Sequence, residues 1–597
     1  MQLVMLETAG NQAFIYATNK QRENIGGSEL TSQFGQWARE AVGTDVLEVL
    51  ITSGKAILLV DSPDPASARA VVGHVSARAL DEGAGLHVNA AVVSVLPADL
   101  ATPPAEEELM RRAHRELAVS GAGRPGPATR WPQHPFAQVS GVSNLPASPP
   151  LRPLPTVPAA LPGHDRFLGF WPHSRDDSEA LSECSRTKRL WAQYARHRML
   201  QTLRVGTRLS GDDRDRLFPD LDDLESYLSA SDSDSELSWI GVVHIDANGM
   251  GAIFSNLAAY MPDAYQPSVQ AAPLVERFGA RLLALTGDVS RALQACTEAA
   301  YAAAAAEVLR EHTEVTGAER DTKIVPVVPI VLGGDDVTVL VHDAHALTFT
   351  AAYLHAFEEL TATDLVLGPL GENADIWADR DVRPGLTSAA GVALVKRTFP
   401  FSEAYQLAEQ LCNNAKAQCG RGCSSLDFHA NYDAQLRSLG ELRQRLQAPA
   451  LSLTAAPYRL RVDGPGPHWQ MLRYAAQAVT TVGDDGDRLV PRRQAVQWRD
   501  RLRADSATPA GVLAELQVLG VPAQHLMPGG ELTVPLHRPV GHHLELGWLV
   551  WDAIVVSRFL PDRLRGQDDA RRPRTSTVEE AATPRPLNNL GPPPQPA

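Results

Sequence analysis

Two short apolar runs, Val327 to Leu332 and Val337 to Val341, flank the tetrad Gly333, Gly334, Asp335 and Asp336 in the stretch IVPVVPIVLGGDDVTVLVHDAHAL. Both runs are rich in β-branched residues and too short for helices, so each predicts a strand, and the four residues between them predict a hairpin turn. Pro326 and Pro329 put the first run at a sheet edge, because proline offers no N–H to a ladder. Gly and Asp are common in turns on conformational grounds alone, so the tetrad by itself does not separate a plain turn from a site.

The same patterning divides the rest of the chain. From 237 to 430 it predicts strand WIGVVHID, long helices to about 312, the hairpin, helix AHALTFTAAYLHAFEEL, strand TSAAGVALV and helix SEAYQLAEQLCNNAKA. Residues 1–115 alternate apolar segments with helical ones in a similar α+β order. Between the two lie a proline-rich connector at 116–165, with eleven prolines from 125 to 162, and a segment 166–236 read as a helical linker followed by an acidic loop. No regular element tolerates proline at that density. Residues 431–565 read as a mostly helical domain, the stretch 544 to 560 as a buried helix within it, and 566–597 as a disordered tail.

The two α+β units look like a degenerate repeat. Laying LITSGKAILLV (50 to 60) over VLGGDDVTVLV (331 to 341) puts Gly54 on Asp335 and Lys55 on Asp336, and LVMLETAGNQAFI over VVHIDANGMGAIF puts Glu7 on Asp246. The first copy keeps the hairpin and lacks the acidic pair.

Composition narrows the class. A chain of 597 residues with 44% hydrophobic content can bury more than one core. The formal charge of -15 argues against a protein that coats nucleic acid by bulk electrostatics. Five cysteines make no disulfide framework, the start MQLVMLETAGNQ has no signal-peptide pattern, and no apolar run is long enough for a membrane span, so a cytoplasmic protein is expected.

Chemistry concentrates in the second unit. Strand GVVHID ends in Asp246 and runs into ANGMG, whose glycines let the backbone approach a ligand. Attack on a nucleoside triphosphate needs hard divalent cations to neutralise the phosphates, so carboxylates must converge. Strands lie roughly 5 Å apart, which lets Asp246 meet Asp335 and Asp336 across neighbouring strands and hold Mg²⁺ or Mn²⁺.

VVHIDANGMG, VLGGDDVTVLV, SAAGVALVKRTFPFSEAYQLAEQLCNNAKA and SSLDFH, in that order over nearly 200 residues, together resemble the large palm-containing subunit of type III CRISPR effector complexes, above all its second palm domain. The resemblance implies an α+β protein with two ferredoxin-like palm domains of the nucleotide cyclase and polymerase kind, a helical linker and a helical C-terminal domain. It implies conversion of ATP to cyclic oligoadenylates, with Asp246, Asp335 and Asp336 as catalytic metal ligands. Gly333 and Gly334 would leave room for the nucleotide, Lys416 would face the triphosphate, and Asn248 is a weaker nucleotide-binding candidate, as is Ser388. It further implies nucleoside triphosphates as ligands, and RNA or CRISPR-like effector subunits as partners. The first palm, with SGK in place of the acidic tetrad, is expected not to catalyse.

Departures from that family are equally legible. The chain enters a palm-like strand by about residue 3, so no HD nuclease domain is expected ahead of it. His342 and Asp343 are adjacent, yet they end a hairpin strand with no array of partner histidines. Only Cys184 lies between the palms, and Cys412, Cys419, Cys423 and His429 lack paired zinc spacing. The competing expectation is a scaffold subunit of an RNA-guided complex whose palms bind RNA and protein without catalysis.

Overall fold

A computed structural model of the chain describes residues 1–123, 135–149, 179–206, 239–262, 264–316, 327–373, 385–432, 437–448, 451–461, 467–480, 490–503, 518, 537–540, 543–547 and 549–560. Most of the proline-rich connector, the acidic stretch 211–236, Pro326 and the tail 566–597 lie outside these residues.

The first unit is built from β1 (Gln2–Ala9), α1 (Asn11–Ile15), α2 (Gln21–Glu40), β2 (Val46–Thr52), β3 (Lys55–Val60), α3 (Pro65–Glu82), β4 (His87–Ser94) and α4 (Pro103–Ala122). Its four strands pair in the order β2-β3-β1-β4, all antiparallel. Local chemistry sets the boundaries: Asp64 accepts the N–H of Ala66 at 2.9 Å to cap α3, and Pro65 stands at the first helical position, where a missing N–H costs nothing. The helix α5 (Glu183–Gly206) follows and packs along α2, where Arg189 pairs with the buried Glu23 at 2.9 Å.

The second unit repeats the plan on a larger scale. It contains β5 (Trp239–Ala247), α6 (Met250–Ser255), the 36-residue α7 (Arg281–Thr316), β6 (Val327–Gly333), β7 (Asp336–His342), α8 (Ala346–Thr363), β8 (Ser388–Lys396), α9 (Phe401–Cys419) and β9 (Ser425–Ala430). The sheet order is β9-β8-β5-β7-β6, with a two-residue strand Tyr458–Arg459 beyond β9. Four consecutive strands from its edge, β6-β7-β5-β8, have the same order and antiparallel sense as β2-β3-β1-β4. Two α+β palm units of ferredoxin-like topology are therefore present. As Pro329 required, β6 is an edge strand, and the ladder shifts register between Pro329 and Val331.

The hairpin differs from expectation in one respect. Gly333 pairs with Asp336, so each strand runs one residue further and only Gly334 and Asp335 form the turn. Gly334 takes φ +61, a left-handed conformation that glycine adopts freely. Asp336 is thus a strand residue with a fixed side-chain direction, and not a mobile tip.

Alternation along β5 sorts its side chains between two cores. Val243 and Ile245 join the core with α7 and α8, whereas Ile240 and Val242 join Phe401, Ala404, Leu407 and Leu411 of α9. The first of these cores continues into the first unit, taking in Leu3, Met5, Ile57 and Leu59 of its sheet and Leu109 and Ala113 of α4. Full burial of each large aliphatic side chain contributes about 1.5–3 kcal/mol, so this shared core fixes the two palms against each other.

Beyond β9, the region read as mostly helical contains helices Leu439–Gln444, Trp469–Thr480, Arg492–Arg503 and Leu549–Ser557 together with a four-stranded sheet of short strands. The stretch 544 to 560 is a strand, His543–Gly547, followed by a helix, because His-Leu-Glu-Leu-Gly alternates polar and apolar residues. Asp552 anchors that helix, accepting from Thr454 Oγ1, the N–H of Ala455 and Tyr458 Oη. No helix among the described residues is long and apolar enough to cross a membrane.

Candidate active site

On the face of the second sheet that meets α9, the apolar positions Ile240 and Val242 give way to His244 and Asp246 at the end of β5. Asp246 stands directly opposite Asp336 of β7, and His244 opposite Thr338. The N–H of Ala247 donates to the carbonyl of Asp335 at 3.1 Å, which ties the hairpin turn to the end of β5. Three carboxylates therefore gather at one end of the sheet by strand register alone.

Helix α7 holds the turn from the other side. Gln294 Oε1 accepts the N–H of Gly334 at 2.6 Å, and Thr297 Oγ1 donates to the Gly334 carbonyl at 2.7 Å. Gly333 meets the first palm: a Cβ there would lie 3.2 Å from Ser53 Oγ, at the tip of the β2-β3 hairpin. The smallness of Gly333 thus serves close approach of the two hairpins, while Gly334 has open space and needs its glycine for conformation.

Electrostatics distinguish the carboxylates. Burial, then the charges of Asp246, Asp335 and Glu409, push Asp336 up to about 8, and Lys416 offsets only part of this. Burial and Asp246 likewise raise Asp335. Asp336 keeps 36% of its side-chain surface exposed, yet its Oδ1 is buried and has no hydrogen-bond partner. Its nearest basic neighbour, His244 with Nδ1 at 3.4 Å, is held neutral by burial. A carboxylate left without counter-charge fits a cation.

Lys416 leaves the surface position that its place near a helix C-terminus allowed. Its ammonium donates to Asp246 Oδ2, with 13% of the side chain exposed. Asn248 is fully buried, with Nδ2 donating to Thr387 Oγ1 at 3.0 Å, so it braces the entry to β8 and does not line the carboxylate cluster. Ser388 is buried as well. Among the described residues no three carboxylate, imidazole or thiol groups enclose a metal position by themselves. Mg²⁺ is commonly held by one or two carboxylates and completes its shell with water or substrate phosphates, so Asp246, Asp335 and Asp336 fit a cation whose remaining ligands are water or triphosphate oxygens.

Residues 239–424 match the model of the family described as Cas10/Cmr2, second palm domain. The second palm is similar to that of Cas10/Cmr2 proteins. No curated protein matches the chain. Among solved structures it is similar to the Csm1-Csm4 cassette in complex with cA4, at 12% identity over 94% of this chain and 69% of that one, with a TM-score of 0.47. It is similar also to the same cassette with cA3, at 12% identity, the same coverage and a TM-score of 0.49, and with one ATP, at 12% identity, 94% and 70% coverage and a TM-score of 0.44.

The second palm holds two further polar residues that the sequence motifs did not single out, Tyr405 and Glu409. Tyr405, Glu409, Cys412 and Lys416 recur at spacings of four, three and four, which puts them on one face of α9. That stripe was readable in the sequence. Its partners in the first unit were not: Gln12 Nε2 donates to Glu409 Oε1 at 3.4 Å, the Tyr16 ring stacks on Tyr405 with centroids 3.8 Å apart, and Asn19 Oδ1 accepts from Ser402 Oγ at 2.8 Å.

The degenerate site of the first unit follows the same register. Glu7 is paired with Lys55 across β1 and β3, as Asp246 is with Asp336, and the N–H of Thr8 donates to the Gly54 carbonyl at 2.8 Å as Ala247 does to Asp335. Lys55 Nζ lies 3.7 Å from Glu7, so the pair is charge-neutral where the second palm is acidic. His342 and Asp343 contact each other at 3.0 Å at the end of β7, and the five cysteines are free thiols.

Proposed function

We propose that this protein is a nucleotidyltransferase that joins adenosine nucleotides from ATP into cyclic or linear oligoadenylate signals, in CRISPR-like antiviral defence. The observation that carries this reading is the convergence of Asp246, Asp335 and Asp336 at one sheet end, with Lys416 beside them. Its support in kind is the Cas10/Cmr2 match over the same residues.

Asp246, Asp335 and Asp336 would hold Mg²⁺ or Mn²⁺. Such a cation, when bound, neutralises phosphate charge and lowers the pKa of an attacking hydroxyl. Lys416 supplies an ammonium to the triphosphate, and the turn fixed by Gln294 and Thr297 keeps the carboxylates in register. The O3′–Pα bond forms as the bond from Pα to pyrophosphate breaks, and the hydroxyl proton passes to solvent water. Holding donor and acceptor in line provides most of the acceleration in such transfers. In this reading 1–115 is a non-catalytic palm that walls the site, 237–430 the catalytic palm and 431–565 an accessory domain. RNA or effector subunits are its partners and the cytoplasm is its compartment.

The test is incubation of the purified chain with each labelled nucleoside triphosphate and Mn²⁺, with and without RNA, beside the double variant Asp335→Ala/Asp336→Ala. Oligoadenylate from the parent and none from the variant is expected. Equal product from both would sink the assignment, and no turnover of any triphosphate under either condition would favour the scaffold.

A further inference from the structure

Three buried polar atoms near the carboxylates lack partners: Asp336 Oδ1, Tyr16 Oη and Tyr405 Oη. Buried polar groups are nearly always hydrogen-bonded, so three together call for a physical explanation. The two phenols come from different palms and are stacked, centroids 3.8 Å apart and planes at 22°. The stack is held in place at both ends by Gln12 on Glu409 and Asn19 on Ser402. Behind it, the Lys188 ammonium of α5 donates to the Phe14 carbonyl and sits over the Phe14 ring at 4.2 Å, which fixes the end of α1 that carries Tyr16.

Chemistry makes the three atoms complementary. A carboxylate accepts, and a protonated phenol donates. Burial first, and then the charge of Asp336, raise the pKa of both phenols, which keeps them protonated. Thr338 also faces Tyr16, and its hydroxyl, in contact with His244 Nδ1 at 3.2 Å, is a second acceptor open to the Tyr16 hydroxyl.

We propose that Tyr16 of the first palm and Tyr405 of the second are positioning residues for Asp336, their hydroxyls donating to its buried oxygen when its other oxygen faces a divalent cation. Carboxylates that bind metals are themselves oriented by hydrogen bonds, and removing such a partner costs about 10–100-fold in metal affinity or activity. The first palm, although it lacks carboxylates of its own at the hairpin, then completes the second palm's site through one phenol. This inference rests on the reading of Asp336 as a metal-binding residue.

The experiment uses the full chain with Tyr16→Phe, Tyr405→Phe and both together, which keep the stacked rings and remove only hydroxyls. Mn²⁺ affinity is measured by calorimetry without nucleotide, and ATP turnover separately. The double variant is expected to melt no lower than the parent, to bind Mn²⁺ at least about 10-fold more weakly, and to lose kcat by a similar factor with KM for ATP little changed. Parental Mn²⁺ affinity in the double variant overturns the proposal. Asp336→Ala separates the two levels: if it abolishes Mn²⁺ binding while the double variant binds normally, only the role of the phenols fails. If Asp336→Ala itself binds Mn²⁺ and turns over ATP normally, the reading of the site fails with it.

Discussion

Glu106 Oε2 accepts the backbone N–H of Leu283 at 2.9 Å, so a carboxylate on α4 of the first palm caps the long helix α7 of the second. Glu106 is fully buried and its Oε1 has no partner. Burial raises it to about 7, despite the amides of Leu283, Leu282 and Arg281.

The sign of the resulting pH dependence follows from linkage. The folded state holds this proton more tightly than the unfolded chain, whose value is near 4.5, so its contribution is fully present below that pH and is lost as pH rises through about 7. Glu106→Gln keeps an acceptor at the cap and removes the charge. Urea unfolding at about pH 5 and about pH 8 should show a flatter pH dependence in the variant, with up to roughly 3 kcal/mol gained at the higher pH. An unchanged slope would show that Glu106 does not titrate in this range.

Lys416 and Asp246 form an ion pair that a cation must compete with. Lys416→Ala should therefore tighten Mn²⁺ binding in the absence of nucleotide, because Asp246 is released, while ATP turnover falls by about 10²-fold for loss of a charged donor to the phosphates. Calorimetry and steady-state kinetics on the same preparation read the two opposite changes. A variant that weakens Mn²⁺ binding, or leaves turnover intact, would contradict this role for the lysine.

Gly287 of α7 fixes the distance between the palms, since a Cβ there would lie 2.2 Å from the Val49 carbonyl oxygen of β2. Glycine to alanine inside a helix ordinarily stabilises by about 1 kcal/mol. Here the backbone oxygen cannot give way alone, so Gly287→Ala should instead destabilise by about 1–3 kcal/mol. It should lower turnover too, because the same helix carries Gln294 and Thr297 to the hairpin of Asp335 and Asp336. A variant as stable as the parent in urea would mean that the palms can shift apart without loss.

Much of the fold was legible because strand and helix signals are local. The β-branched runs around the acidic tetrad, the alternation in β5 and the periodicity of α9 each lie within one element. The internal repeat was legible too, since equivalent strands carry equivalent ends: Glu7 with Lys55 in one register, Asp246 with Asp336 in the other. The hairpin turn was read two residues too long, because glycine and aspartate suit a turn and a strand end alike, and only the pairing of Gly333 with Asp336 separates them.

The sequence by itself thus determined the two palms and brought three carboxylates and a lysine to one sheet end, because strand register and helical period convert spacing directly into position. Tertiary structure alone decided what surrounds those groups. Tyr16 reaches Tyr405, Glu106 reaches Leu283 and Gly287 reaches Val49 across more than 150 residues of chain in every case. No local pattern encodes such meetings, since they depend on how two separately folded sheets bury one shared core and leave their polar edges in contact.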